Sequence, residues 1–158
     1  MSKIYVDEIA GIASADTVAI PGHVVQVVQT SVETANLLAT SSTSFVDTTL
    51  GVNITPSSTS SKILIAVNSG MVDTRHSGRQ IALTIYRDST NLGNSSRGIM
   101  MGYGDGIRAQ MPISVSYLDS PSTTSQIEYS LYAKTFSGEV EVNRDPCRIS
   151  IIAMEIAG

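Results

Sequence analysis

A period-two alternation of apolar and polar residues runs through most of this chain. Leu50, Val52 and Ile54 are separated by single small or polar residues, and residues 107–117 repeat the pattern over a longer stretch. Because successive side chains of a β-strand point to opposite faces, this spacing predicts half-buried strands. Val, Ile and Thr, which fit a pleated surface, dominate these segments. The sequence therefore predicts an all-β protein.

Turn-forming clusters of Gly, Pro, Ser and Asn divide the alternating segments at intervals of about a dozen residues. About eight strands result, connected by several long loops, and this number and spacing are typical of an antiparallel β-sandwich. We expect a jelly-roll-like topology. The predicted strand segments, nine if the short glycine-broken segment at 99–103 is included, lie within residues 24–28, 50–55, 62–69, 81–86, 99–103, 107–118, 126–136, 139–143 and 148–156.

Two local features add detail to this prediction. Ser137 and Gly138 form a two-residue turn signal, which indicates a hairpin between the strands on either side. Thr30 and Glu33 have the spacing of a capping box, so residues 31–39 could form a short helix. An extended conformation fits those same residues, and both alternatives stay open.

The first 22 residues differ from the rest of the chain. Ile4, Val6 and Ile9 are apolar, but small residues follow them up to Pro21. Such a segment buries little surface by itself and needs a partner to become ordered. We expect residues 1–22 to be an attachment and oligomerisation arm, with Ile4, Val6 and Ile9 as docking residues, and 23–158 to be the head domain. A frayed tail is the alternative.

Composition excludes several functional classes. Charged residues make up 15% of the chain, the net charge is −4 and no basic run occurs, which argues against nucleic-acid binding. The apolar runs are too short for a membrane span, and no signal-peptide pattern is present, so we expect synthesis in the cytoplasm without membrane insertion. Cys147 is the single cysteine, which excludes an internal disulfide, and we expect it to be a buried thiol.

The sequence contains no recognisable catalytic or metal-binding motif. His23 and His76 lie far apart, and neither has a second ligand at metal-binding spacing, although Asp73 precedes His76 by three residues. We expect no metal, no cofactor and no enzymatic activity. Glu128, Glu139 and Glu141 are expected on the solvent faces of their strands.

Several predicted strands are apolar on both faces. In residues 148–156, Ile152, Met154 and Ile156 occupy one parity, while other apolar residues occupy the opposite one. The outer face of a sandwich in a soluble monomer is usually polar. Mean hydropathy is +0.13, so few charges are available to solvate a second apolar face. We therefore expect a homotrimer in which Ile152, Met154 and Ile156 form the interface.

Some segments carry a resemblance to a known group of proteins. They are PGHVVQVV at 21–28, TSFVDT at 43–48, ITPSSTSSKILI at 54–65, YLDSP at 117–121, VNR at 142–144 and MEIA at 154–157. Together they resemble small virion proteins of phages that infect marine and freshwater bacteria, commonly described as tail-fibre or structural proteins. The opening SKIYVD at 2–7 is similar to the short arms that begin phage fibre proteins.

This resemblance implies a homotrimeric β-sandwich head on an N-terminal attachment segment, made in the bacterial host cytoplasm and located in the virion. A short tail fibre would dock on another virion protein through its arm and contact the host through loops at its distal end. We expect the loops at 73–78 and 88–98 to provide that contact, since loops on a rigid β scaffold carry binding. A host-surface glycan is one candidate ligand. The candidate receptor residues are Arg75, His76, Asn91, Asn94 and Tyr103.

A capsid decoration or cement protein is the alternative function. It would use the same trimer but insert its arm between subunits of the phage head.

Overall fold

The computed structural model describes residues 22–158, so the docking residues expected in the arm, Ile4, Val6 and Ile9, lie outside the described residues. Across the described range the chain forms eleven strands and no helix. They are β1 (Val24–Val32), β2 (Leu38–Thr40), β3 (Val46–Ile54), β4 (Lys62–Asp73), β5 (Arg79–Arg87), β6 (Thr90–Asn91), β7 (Met100–Gly104), β8 (Gln110–Asp119), β9 (Ile127–Thr135), β10 (Val140–Val142) and β11 (Ile149–Ile156).

The strands form two antiparallel sheets. Sheet A has the order β1-β11-β4-β8, and β10 and β2 extend it beside the second half of β4. Sheet B has the order β3-β9-β5, with β6 and β7 both pairing with the outer side of β5. Two four-stranded sheets with this connectivity make a jelly roll. The predicted all-β jelly-roll sandwich is confirmed, with three short strands in addition to its main eight.

The core lies between the two sheets and is almost entirely aliphatic, as the period-two pattern predicts. Each long strand turns every second residue inward, so one parity is buried. The inward-facing residues of sheet A include Ile63, Ile65, Val67, Ile113, Val115, Ile149 and Ile151, and those of sheet B include Leu50, Val52, Ile81, Leu83, Ile85, Tyr129 and Leu131.

A bulge lets β4 pair with two strands on one side. Its first half pairs with β11 and its end pairs with β10, and the ladder with β8 shifts register between Asn68 and Met71. Ser69 and Gly70 there both have positive φ, at 68° and 67°. A Cβ on Gly70 would lie 2.8 Å from Asn143 Oδ1 and 2.9 Å from Ile149 Cβ. Glycine therefore supplies both the left-handed backbone and the space that this change of partner requires.

The outer edge of sheet B is interrupted. β6 and β7 pair with different parts of β5, and residues 92–99 leave the edge between them as a loop closed by a bridge between Asn94 and Gly98. A Cβ on Gly98 would lie 2.2 Å from the carbonyl oxygen of Leu83, so only glycine allows the loop to rejoin the edge there. The predicted loop at 88–98 thus contains a two-residue strand and a compact turn.

Two local predictions need correction. Ser137 and Gly138 do not close a hairpin, because β9 belongs to sheet B and β10 pairs with β2 and β4 in sheet A. The turn instead carries the chain from one sheet to the other. The helical alternative for residues 31–39 is wrong, since β1 continues to Val32 and β2 begins at Leu38. The β-branched residues of this segment favour the extended conformation.

Candidate interaction surfaces

An apolar row crosses the outer face of sheet A. Val27, Met154, Leu64 and Leu118 are direct cross-strand neighbours on β1, β11, β4 and β8. Val27 is 55% exposed and Leu118 is 49% exposed, while the two central side chains are half-buried. We call this row, together with Ile152 and Ile156 beside it on β11, the outer stripe. A contiguous apolar surface of this kind is typical of interaction sites.

A polar row runs parallel to the outer stripe. Ser31, Ser150, Asn68 and Ser114 are also direct neighbours across the same four strands. Along β11 the outward-facing residues therefore change from apolar Met154 and Ile152 to polar Ser150. An apolar centre beside a polar margin is the usual arrangement of a protein–protein interface. Ile152, Met154 and Ile156, the residues expected at a trimer interface, all lie on this outer face, and their contact with other copies stays a prediction.

Three arginines gather at one end of the sandwich, where β4 leads into β5, β7 into β8 and β10 into β11. We call it the arginine end. Arg108 Nε donates to both oxygens of buried Asp73, at 2.9 and 3.1 Å, and the backbone N–H of Arg75 donates at 2.7 Å. Arg144 Nη1 lies 3.6 Å from the same carboxylate. The hydrogen bonds from Arg108 first, and then from the Arg75 N–H and from Gln110, lower the pKa of Asp73 to about 2 despite its burial.

The same arginines neutralise a second buried carboxylate. Arg75 Nη1 donates to Glu141 Oε1 at 2.8 Å and also pairs with exposed Glu139, and Arg144 Nε lies 3.5 Å from Glu141 Oε2. Glu141 is 5% exposed, so its predicted position on a solvent face is wrong. The ion pairs join the loops at this end of the sandwich. Because three arginines face three carboxylates, the cluster presents little net charge.

The candidate receptor residues do not share one surface. Arg75 and His76 lie in the β4–β5 connection at the arginine end, and Tyr103, 50% exposed, lies near it at the end of β7. Asn91 and Asn94 lie instead on the outer edge of sheet B, beside the second half of β5, where Asn91 pairs with Tyr86 and Asn94 bridges to Gly98. The loops at 73–78 and 88–98 therefore flank β5 at its two ends, and contact of their residues with a host stays a prediction.

Both asparagines in that set stabilise local turns. Asn91 Oδ1 accepts hydrogen bonds from Thr84 Oγ1 at 2.6 Å and from the Gly93 N–H at 2.9 Å. Asn94 Oδ1 accepts from the backbone N–H groups of Ser96 and Arg97, both at 2.9 Å. These carboxamide oxygens shape the loop in the manner of Asx turns.

A buried carboxylate organises the other end of the sandwich, which we call the serine end. Glu155, fully buried, accepts four hydrogen bonds, three of them on Oε1. The donors are Ser57 N at 2.7 Å, Ser57 Oγ at 2.6 Å, Ser61 Oγ at 2.6 Å and Gln26 Nε2 at 2.6 Å. Burial raises the pKa of Glu155, but the hydrogen bonds together outweigh it and lower the pKa to about 2.

A second polar network lies at the serine end. The hydroxyl of buried Tyr129 donates to Asp119 Oδ2 at 2.7 Å, and Arg87 Nη1 donates to the same oxygen at 2.9 Å. Burial, followed by the neighbouring Asp119, raises the pKa of Tyr129. The phenol therefore stays protonated and serves as a hydrogen-bond donor that ties β9 to β8.

Aromatic side chains cluster on sheet B. Tyr86 and Tyr132 stack with ring centroids 3.9 Å apart, Phe45 meets Tyr86 edge-on at 6.5 Å, and Lys134 Nζ lies 5.0 Å from the Phe45 ring. All three aromatic side chains are half-buried, so most of their surface stabilises the sheet. Tyr103 lies apart from this cluster, on β7, so the aromatic rings within residues 22–158 are not all gathered on one surface.

No group of three or more His, Cys, Asp or Glu side chains within residues 22–158 is arranged to hold a metal ion. None of the elements in that range is a helix of sufficient length and apolarity to span a membrane. Cys147 is exposed, so the prediction of a buried thiol is wrong. It follows Pro146 in the turn before β11, where its N–H bonds to the carbonyl oxygen of Asp145 at 2.6 Å.

No protein-family model matches this chain, and no curated protein matches it. Among solved structures, the infectious bursal disease virus VP2 subviral particle is similar at a TM-score of 0.46 and 16% identity, over 84% of this chain and 33% of that one. A mutant VP2 protein of the same virus, in derived T=1 particles, gives 0.41 and 12%, over 84% and 37%. The chain spans about a third of the length of these structures. At such scores the jelly-roll assignment stands on this chain's own strand order.

Proposed function

We propose that this chain is a virion structural protein of a bacteriophage, a short homotrimeric tail fibre or adhesion protein. The observation that carries the proposal is the outer stripe, an apolar row across all four main strands of sheet A with a polar row beside it. An enzyme or a monomeric carrier has no need of such a surface, whereas a subunit of an assembly does. The resemblance of residues 21–157 to phage virion proteins supports the same conclusion.

In this proposal the outer stripes of three copies cover one another around a threefold axis. Val27, Leu64, Leu118, Ile152, Met154 and Ile156 form the apolar centre of the interface. The serine and asparagine row forms its margin, where hydrogen bonds and water are tolerated. Three heads held together give a weak surface-binding site the advantage of avidity. The proposal includes no catalytic step and no cofactor.

The direction of β1 suggests which end of the head faces the host. Gly22 and His23 pair with Ala157, and Gln26 donates to Thr55 O at 2.7 Å, so β1 begins at the serine end. An arm attached to the particle there leaves the arginine end farthest from it. Of the candidate receptor residues, Arg75, His76 and Tyr103 lie at or near that end. We propose that they contact the host surface, with a glycan as one candidate ligand.

Substitution of Ile152 by Asp tests the trimer. The side chain lies on the outer face of β11, so the isolated head can keep its fold, but a trimer would have to bury an unpaired carboxylate. We expect the concentration at which the trimer dissociates to rise by roughly 100-fold or more, equivalent to about 2.7 kcal/mol. Light scattering over a dilution series measures this.

Ser150→Asp is the matched control, because Ser150 lies two residues away on the same face, in the polar row. It is expected to leave the oligomeric state unchanged. A stable, folded monomer of the unaltered chain at micromolar concentration would argue against the trimer, and so would an Ile152→Asp variant that dissociates no more readily than the control.

Deletion of residues 1–20 tests attachment to the particle. The head is expected to stay folded and trimeric, because its described core and outer stripe are intact, but to be absent from purified virions. Incorporation is measured by quantitative mass spectrometry of particles, with the full chain at matched expression as control. Normal incorporation of the shortened chain would refute a docking role for the arm. Copy number in the same measurement separates a tail fibre from a capsid decoration protein, which is far more abundant per particle.

A further inference from the structure

From Gln26 to Val32, the outer side of β1 is a sheet edge in the described range with no charge, proline or register break to hinder strand pairing. No other strand among residues 22–158 pairs with it. From Gln26 to Val32 it stays in unbroken register with β11, after a single shift near its start. Its sequence, VVQVVQTSV, contains no charge, no proline and no glycine. Val25 and Val27 on this strand are 42% and 55% exposed.

The other edges each carry a device that hinders pairing. β8 has Pro112, which cannot donate a backbone hydrogen bond. β3 has a register break between Asp47 and Gly51, with Thr49 at a φ of 66°. The β6–β7 edge is interrupted by the loop at 92–99, and β2 is three residues long. Short strands, bulges, charges and prolines are the means by which sheets avoid edge-to-edge association, and an edge without them is prone to it.

We infer that β1 pairs antiparallel with β1 of a second copy of this chain, joining two copies of sheet A into one continuous sheet across a twofold axis. The pairing satisfies the free backbone N–H and C=O groups of both strands.

The choice of a second copy follows from charge. In a twofold antiparallel pair, residues near the axis face themselves or a near neighbour of the same strand, so a charged side chain there would meet a like charge. β1 has none.

This contact is independent of the proposed trimer. It uses the backbone edge of β1 in the plane of sheet A, whereas the outer stripe faces away from that plane. A chain that makes both contacts would link trimers to one another.

Hydrogen exchange of the full chain, followed by mass spectrometry of the peptides that cover 22–32, tests the inference. The backbone amides of β1 that point away from β11 are expected to be protected at high concentration and to exchange at least about tenfold faster on dilution. Gln29→Lys should abolish that protection, since it brings two ammonium groups together across the axis. Gln29 is exposed, and its side chain bonds only to Ser31 Oγ among the residues described, at 2.8 Å. If Gln29→Lys does not fold, Ser31→Lys serves as the test variant, because Ser31 is also exposed on β1.

Ser116→Lys is the matched control. Ser116 lies in the same cross-strand row as Gln29 and is also exposed, but it lies on β8, the edge that contains Pro112. It should leave β1 exchange unchanged, and protection of β9 peptides shows that each variant is folded. In Ile152→Asp, β1 protection should persist even where the trimer is lost, which separates this inference from the proposed function.

Three results would overturn the inference. Rapid exchange of β1 at all concentrations would show an open edge. Protection that neither dilution nor Gln29→Lys removes would mean that the chain's own residues 1–21 cover the strand. Loss of protection in Ile152→Asp would mean that β1 is covered only within the face-to-face trimer.

Discussion

Replacement of Glu155 by alanine is expected to lower the free energy of unfolding by about 3–5 kcal/mol. The carboxylate is fully buried and is the shared acceptor for donors from β1 and from the loop between β3 and β4. Without it, the Ser57 N–H, two serine hydroxyls and the Gln26 amide lose their acceptor, and each buried donor without an acceptor costs about 1–3 kcal/mol. Partial access of water to Gln26 and Ser57 keeps the total below the sum of these values.

The measurement is chemical denaturation at pH 7, with the midpoint and slope followed by circular dichroism. Glu128→Ala is the matched control, because Glu128 is an exposed glutamate on a strand of the same sandwich. It should change stability by less than about 0.5 kcal/mol. The stability of Glu155→Gln should fall between those of the other two variants, because the amide keeps the shape of the carboxylate but replaces one acceptor oxygen by a donor. A Glu155→Ala variant as stable as Glu128→Ala would show that the network contributes nothing.

Glu155 also shows what could have been read from the sequence. Ile149, Ile151 and Ala153 occupy the core parity of β11, and Glu155 is the next residue of that parity. A carboxylate at a core position must be paired or hydrogen-bonded, so the sequence predicts a buried acceptor there. The identity of its partners was not predictable, because Gln26 and Ser57 reach it only after three separate strands have been brought together.

Which alternate residues of each strand face the core was predictable for a physical reason. A core between two sheets requires every second residue to be apolar, and that requirement is local to each strand. The apolar second face of β4 and β11 was predictable on the same grounds, and Leu64, Ile152 and Met154 lie on it. Sheet membership is not local, which is why the Ser137–Gly138 turn was misinterpreted as a hairpin. A two-residue turn has the same sequence signature whether the next strand pairs with the previous one or crosses to the other sheet.

The arginine end was missed for a related reason. Asp73 and Arg108 are 35 residues apart, and Glu141 is remote from Arg75, so no spacing rule connects them. The candidate receptor residues were chosen by loop composition alone. Composition identifies a connection between strands but not the end of the sandwich at which that connection lies, and so residues from distant surfaces were grouped together.

Acid is expected to destabilise the fold through two of these buried carboxylates. The pKa of Asp73 is lowered from 3.8 to about 2 and that of Glu155 from 4.5 to about 2. Because both pKa values are depressed in the folded state, the unfolded chain takes up protons first as the pH falls. Their contribution is therefore complete above about pH 5 and is lost progressively between about pH 4.5 and 2. At 1.36 kcal/mol per pKa unit, each group contributes about 2–3 kcal/mol at neutral pH.

Denaturant midpoints from pH 7 to pH 2.5 measure this loss. The double variant Asp73→Asn/Glu155→Gln should be less stable than the unaltered chain at pH 7, yet its stability should fall much less steeply below pH 4.5. Glu128→Gln is the matched control, because Glu128 is exposed and lies outside both networks, and it should keep the original pH dependence. If the double variant lost stability as steeply as the unaltered chain below pH 4.5, other carboxylates would account for the acid sensitivity. Protonation of Asp73 and Glu155 would then not be what destabilises the fold in acid.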